Sequence, residues 1–141
     1  MTNYDCFYCT KDDRLERLMM NITEMKISNL YLLKDQTHKG RCVLALTSHK
    51  TELFQLTKEE RTLFMEDVSK ASKAINEAFS PNKINYAIYG DLVSHLHFHL
   101  VPKYREGEDW GRAFDNEPAE KKILTTEQYQ ERMNALLQQL N

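Results

Sequence analysis

His95-Leu96-His97-Phe98-His99-Leu100-Val101 holds three of the chain's five histidines at strict alternation. Successive side chains on a β-strand point to opposite faces, so His95, His97 and His99 line one face together. Leu96, Phe98 and Leu100 then occupy the other face, where a core helix can cover them. A lone strand histidine is ordinarily structural. Three at period two, backed by an apolar alternate face, are a site, because three buried imidazoles without partners would be costly to desolvate. Neutral imidazole is a nucleophile and a general acid near pH 7, and flanking imidazoles can donate to phosphate oxygens while the central one attacks phosphorus.

Outward from this strand, Ile84 to Tyr89 reads as its neighbour, and Asn29 to Leu33 and Arg41 to Leu46 read as a hairpin around the polar turn Lys34 to Gly40. Thr57-Lys58-Glu59-Glu60 is a capping box, followed by Phe64, Val68, Ala71, Ile75 and Ala78 at steps of three and four. The spacing predicts a helix over 58–79, stopped by Ser80-Pro81-Asn82. A second helix is expected after Thr125, where Tyr129, Met133, Leu136 and Leu140 share one face. Lys11 to Met25 reads as charged and Met-rich with a short helix, and Tyr104 to Lys121 as a loop. The order β-β-α-β-β with a C-terminal helix predicts an α+β domain with a largely antiparallel sheet.

The chain's 141 residues fit one domain with a single core. Its formal net charge of −2 lacks the basic excess of a polyanion-coating protein, which argues against bulk nucleic-acid binding. No run of about 18 apolar residues supports a membrane-spanning helix. Met1 to Thr10 lacks the basic start and apolar stretch of a secretory signal, and three cysteines cannot all pair in one monomer; a reduced, cytoplasmic protein is expected. Cys6-Phe7-Tyr8-Cys9 is open to three readings: a zinc half-site, a redox dithiol, or two small buried residues. Cys42, in mid-strand, reads as a core residue, and His38, in the polar turn, as solvent-facing.

The histidine row resembles the signature of the histidine-triad (HIT) family, alternating histidine and apolar residues, followed here by Pro102. The likeness extends to Gly40-Arg41-Cys42-Val43-Leu44-Ala45-Leu46-Thr47-Ser48-His49, to Glu52 to Leu56, and to Gly90-Asp91-Leu92-Val93 before the triad. It covers about residues 5–104, leaving 105–141 as a C-terminal loop and helix of the same domain, 1–141. Trp110-Gly111 resembles a recurring feature of one bacterial branch.

The resemblance implies a HIT-like fold: an antiparallel sheet with one long helix and a C-terminal helix. It also implies a nucleotidyl hydrolase or transferase acting at the α-phosphate of a nucleoside phosphate. By that likeness His97 is the nucleophile that carries a nucleotidyl intermediate, His99 sits beside the α-phosphate oxygens, and Asp35 is either a ribose ligand or a solvated turn residue. Two positions depart from the family pattern. Arg41 replaces a fourth histidine and could instead clamp phosphate, and Asp91 replaces a glutamine. Zinc-bearing relatives place two further ligands at the positions of His49 and His95, so the resemblance implies structural Zn2+ on Cys6, Cys9, His49 and His95. It also implies a homodimer held by apolar positions on 58–79 and on Ile84 to Ile88. The leading expectation is hydrolysis of a dinucleoside polyphosphate or phosphoramidate. Transfer to a sugar phosphate is the alternative enzyme reading, and a non-catalytic nucleotide-binding sensor is the alternative outside catalysis.

Overall fold

Leu30–Leu33 and Cys42–Leu46 read as unbroken apolar runs because both faces of the sheet they enter are covered. Leu30, Leu32, Cys42, Leu44 and Leu46 face one cluster, whereas Tyr31, Val43 and Ala45 face the other. The computed structural model describes residues 5–141, so the first four residues of the N-terminal stretch read above lie outside it. In chain order the elements are α1 (Phe7–Thr10), α2 (Asp13–Leu18), β1 (Met19–Glu24), β2 (Ser28–Leu33), β3 (Cys42–Leu46), α3 (Lys58–Phe79), β4 (Lys83–Ala87), β5 (His97–Lys103) and α4 (Thr126–Leu140). The strands form one antiparallel sheet in the order β1-β2-β3-β5-β4. The α+β class and antiparallel sheet expected from the sequence are therefore present.

The first face is closed by α3 and α4. At the start of α3 the Glu60 amide donates to Thr57 Oγ1 at 3.1 Å and the Thr57 amide to Glu60 Oε1 at 2.8 Å, the reciprocal cap the sequence predicts. Its stripe Phe64, Val68, Ala71 and Ile75 is buried against β5, with the Phe64 and Phe98 rings edge to face at 5.4 Å. Phe64, Val68 and Ile75 each contribute roughly 1.5–3 kcal/mol of burial. Asp67 interrupts the apolar face. It is buried and accepts from the Lys26 amide (3.1 Å), the Ile27 amide (3.0 Å) and Ser28 Oγ (2.6 Å), which pins the β1–β2 turn to the helix.

The second face is closed by the N-terminal knuckle: Cys6, Tyr8, Leu15 and Met19 pack on Tyr31, Val43 and Ala45. Here the expectation for Lys11 to Met25 is only half met. Asp12 caps a helix, accepting from the Arg14 amide at 3.0 Å, but the chain turns extended at Met19 and becomes edge strand β1. The strand read from His95 begins two residues later, at His97, and the one expected to reach Tyr89 ends at Ala87. The segment after β5 has no long element before α4, as expected, yet it is stapled down. The Gln36 amide donates to the Lys122 carbonyl at 2.8 Å, the Lys122 amide to Asp35 Oδ1 at 3.0 Å, and Tyr104 to the Lys39 carbonyl at 2.8 Å.

Candidate active site and metal centre

Antiparallel register sets His97 opposite Ala45 and His99 opposite Val43. The two imidazoles are 7% and 9% exposed, with ring centroids 5.0 Å apart. Tyr8 of α1 lies 5.0 Å from the His97 ring and 5.3 Å from that of His95, and Tyr89 lies 5.3 Å from that of His99. Three histidines that look equivalent in sequence have three different sets of partners.

His95 stands just before β5. Its Nε2 lies 2.7 Å from the Leu46 carbonyl, and since a carbonyl only accepts, that nitrogen carries the proton. Nδ1 therefore presents a lone pair to Cys6 Sγ (3.2 Å), Cys9 Sγ (3.5 Å) and His49 Nδ1 (3.1 Å), while Cys9 Sγ lies 3.2 Å from His49 Nδ1. All four donor atoms fall within 4.8 Å of one another. Tetrahedral zinc, at about 2.3 Å to sulfur and 2.0–2.1 Å to nitrogen, sets ligand separations of roughly 3.3–3.8 Å. The cluster suits such an ion in donor type and number, four of its six separations lie at 3.1–3.5 Å, and the Leu46 carbonyl supplies the outer contact that fixes the His95 ring. The knuckle reaches this position because the Cys9 and Thr10 amides both turn back to the Cys6 carbonyl. Burial pushes the Cys6 thiol above its ordinary pKa, so its thiolate calls for a cation.

His97 points its Nδ1 at the His95 carbonyl, 2.5 Å away. Nδ1 must then be the protonated nitrogen, and Nε2 is left as the basic lone pair. Burial, only partly opposed by that hydrogen bond, pushes the pKa of His97 down and keeps the ring neutral.

His99 accepts at Nδ1 from Arg41 Nη2 at 3.3 Å, so its proton sits on Nε2. Burial first, then His97 and the Arg41 charge, hold its pKa down to about 3.

The remaining expected residues are distributed differently. Arg41 does not face an open phosphate site: it is 2% exposed behind His99, donating to Asn116 Oδ1 at 2.7 Å, with its guanidinium 5.2 Å from the Phe114 ring centroid. Asp35 is not solvated. Its Oδ1 accepts from the Thr37 amide (3.1 Å), Thr37 Oγ1 (2.7 Å) and the Lys122 amide (3.0 Å), tying its own turn to the C-terminal segment. Asp91 is exposed in the turn after Gly90. His38, expected to face solvent, is buried, with Nε2 3.2 Å from Asp109 Oδ2. Cys42 packs in the core as expected. Sequence reasoning missed Tyr8, Tyr89 and Phe114 around the imidazoles and Asn116 on Arg41. Tyr8 carried one signal, lying between the two cysteines; the loop residues carried none.

The HIT domain family model matches residues 22–106. The Protein hit of Bacillus subtilis is 27% identical over 81 residues, 54% of this chain, and the chain spans only 56% of that relative's length. An adenosine 5'-monophosphoramidase of Schizosaccharomyces pombe is 28% identical over 114 residues, 80% of this chain and 85% of that protein. Among solved structures, a histidine triad protein of Bradyrhizobium japonicum matches with a TM-score of 0.84 and 21% identity, over 92% of this chain and 96% of that one. A Zn-bound histidine triad family protein of Mycobacterium smegmatis matches with a TM-score of 0.64 and 20% identity, over 94% of both chains.

Proposed function

The chain belongs to the HIT domain family, and on that premise we propose that it is a nucleotide hydrolase cleaving the α-phosphate linkage of a nucleoside phosphate adduct, of the phosphoramidate or dinucleoside polyphosphate type. The observation that carries this reading is the polarity of His97. With Nδ1–H held by the His95 carbonyl at 2.5 Å, the other nitrogen is a neutral lone pair, as a nucleophile requires. A relative that is an adenosine 5'-monophosphoramidase supports a P–N bond and an adenosine nucleotide as the first substrate to try.

In this mechanism His97 Nε2 attacks the α-phosphorus. The Nε2–P bond forms as the P–N or P–O bond to the leaving group breaks, and the bonding pair departs with that group, which takes a proton from solvent. The imidazole becomes a phosphorylated cation still donating from Nδ1 to the His95 carbonyl. Water then attacks phosphorus, gives up a proton, and returns the Nε2–P pair to His97. His99, protonated on Nε2, donates to a non-bridging oxygen on which charge builds. Of the nucleotide contacts expected from the sequence, this mechanism uses His97 and His99.

We infer that the Cys6, Cys9, His49 and His95 cluster holds zinc. With four protein donors the ion keeps no open position, so it supplies cross-linking of the knuckle to the strand rather than chemistry. A homodimer is inferred from β4, which among the described residues pairs only with β5 and leaves Tyr86 51% exposed, and from the outward face of α3, where Met65 is 49% exposed. The buried stripe of α3 is already occupied by its own core, so the contact would use these outward residues. Three cysteines with no disulfide among them accord with a cytoplasmic location.

The test is a turnover panel of adenosine phosphoramidate and dinucleoside polyphosphates, with products identified by mass spectrometry. Release of a nucleoside monophosphate is expected. Tight nucleotide binding with no turnover of any adduct would reject the hydrolase and favour the sensor.

A further inference from the structure

The geometry points to Arg41 as a positioning residue for His99, with Asn116 holding it there: the guanidinium fixes His99 as a neutral donor with its proton on Nε2. This rests on the reading of His99 as a phosphate-oxygen donor and assigns that role to residues outside the histidine row.

A guanidinium has only donors, so the 3.3 Å contact between Arg41 Nη2 and His99 Nδ1 has one possible polarity. A histidine at position 41 could donate or accept and would leave the tautomer of its neighbour open. Arginine cannot. The arrangement is costly as packing. Arg41 is 2% exposed, and within the described residues its Nε has no hydrogen-bond partner. A buried charge that only filled space would be replaceable by an apolar residue, so its place beside His99 calls for a polar task. The C-terminal segment is arranged around that task. Asp109, at φ 63°, accepts from the Asp115 amide at 2.9 Å and pairs with buried His38 at 3.2 Å. Phe114 and Asn116 follow within that loop, one against the guanidinium and one accepting from it at 2.7 Å. His38 and Asp109 thus act at a distance, by seating the loop that seats Arg41.

A purely structural Arg41 would tie the loop to the sheet and leave the imidazole tautomer indifferent. Long-range 1H–15N correlation spectra of the protein as purified distinguish the two. In the wild type the His99 signals are expected to be those of a protonated Nε2 and an accepting Nδ1, with a through-hydrogen-bond coupling to Arg41 Nη2. A protonated Nδ1, or an even mixture, overturns the proposal without any variant being needed. In Arg41→Met the Nδ1–H form should become populated, and kcat should fall roughly 10- to 100-fold with KM within about threefold. A folded Arg41→Met that keeps the wild-type tautomer likewise overturns it. Failure of the wild type to hydrolyse any adduct rejects the functional reading instead, since the spectra require no turnover.

Discussion

The two ends of the histidine row differ in what occupies the second ring nitrogen. At one end, His95 gives its Nε2 proton to the Leu46 carbonyl and turns a lone pair toward two sulfurs and His49. At the other, His99 turns its Nδ1 lone pair to Arg41 and keeps a proton on Nε2. Between them, His97 reverses the tautomer by donating from Nδ1 to a backbone carbonyl. In the proposed reading, identical side chains in one short row become ligand, nucleophile and donor according to their neighbours. The local pattern supplies the row, and distant segments supply the differences.

The largest effect expected is on the central member. His97→Ala should lower turnover by about 10³-fold or more while nucleotide binding stays within a few fold, measured by single-turnover kinetics and calorimetry. Retention of a tenth of the activity would reject the covalent role and make His97 no different from its neighbours. The His95 end should respond in stability. Cys6→Ser should reduce bound zinc, read by elemental analysis of tag-free protein, from near one per subunit to less than about one-fifth. The thermal midpoint should drop by roughly 10 °C, corresponding to about 3 kcal/mol. Low zinc in the wild type, unchanged in the variant, would mean that the cluster is a metal-free pair of thiols.

How much of this contrast was legible in the sequence follows from the range of the interactions. The period-two row, its apolar reverse face, the Thr57–Glu60 cap and the 58–79 helix are local patterns, and each reappears in the structure. Strand β1 was missed because an edge strand with Asn21 and Glu24 exposed gives no clean alternation. The partner of His95 in the N-terminal knuckle came from resemblance to zinc-bearing relatives, since no spacing rule links Cys6 to a residue 89 positions away. Asn116 and Asp109 were illegible for the same reason. Each meets its partner, Arg41 or His38, across more than 70 residues from a segment without periodicity. Composition misled at His38: a polar turn predicts exposure unless a later loop covers it.

A smaller effect tests whether the two ends are independent. Gly40 precedes Arg41 with φ +90°, and a Cβ built there would lie 2.4 Å from Phe79 Cδ2. Gly40→Ala should therefore cost roughly 2–3 kcal/mol from the left-handed backbone and the clash together, read by denaturant unfolding. Because the strain enters beside Arg41, zinc content should be unchanged. A loss of metal in this variant would show that the ends are coupled through β3.

The smallest effect concerns acid. His99 has a pKa of about 3 in the fold, below the ordinary 6.5, chiefly through burial. Above pH 6.5 the ring is neutral both folded and unfolded, and its burial carries no protonation cost. Below 6.5 the unfolded chain takes up a proton that the folded chain refuses, so stability falls by about 1.4 kcal/mol per pH unit until the folded pKa is reached. Between pH 7.5 and 5 this amounts to roughly 2 kcal/mol. His95, His97 and His38, each with a pKa lowered chiefly by burial, add their own acid sensitivity. The His99 share is therefore the difference between wild type and His99→Gln, in which those other groups are retained. The wild type should lose about 2 kcal/mol more than the variant over that interval in urea titrations at each pH. Coincident losses would mean that His99 takes up its proton in the fold, and with it the neutral, arginine-bound end of the row would lose its distinction from the rest.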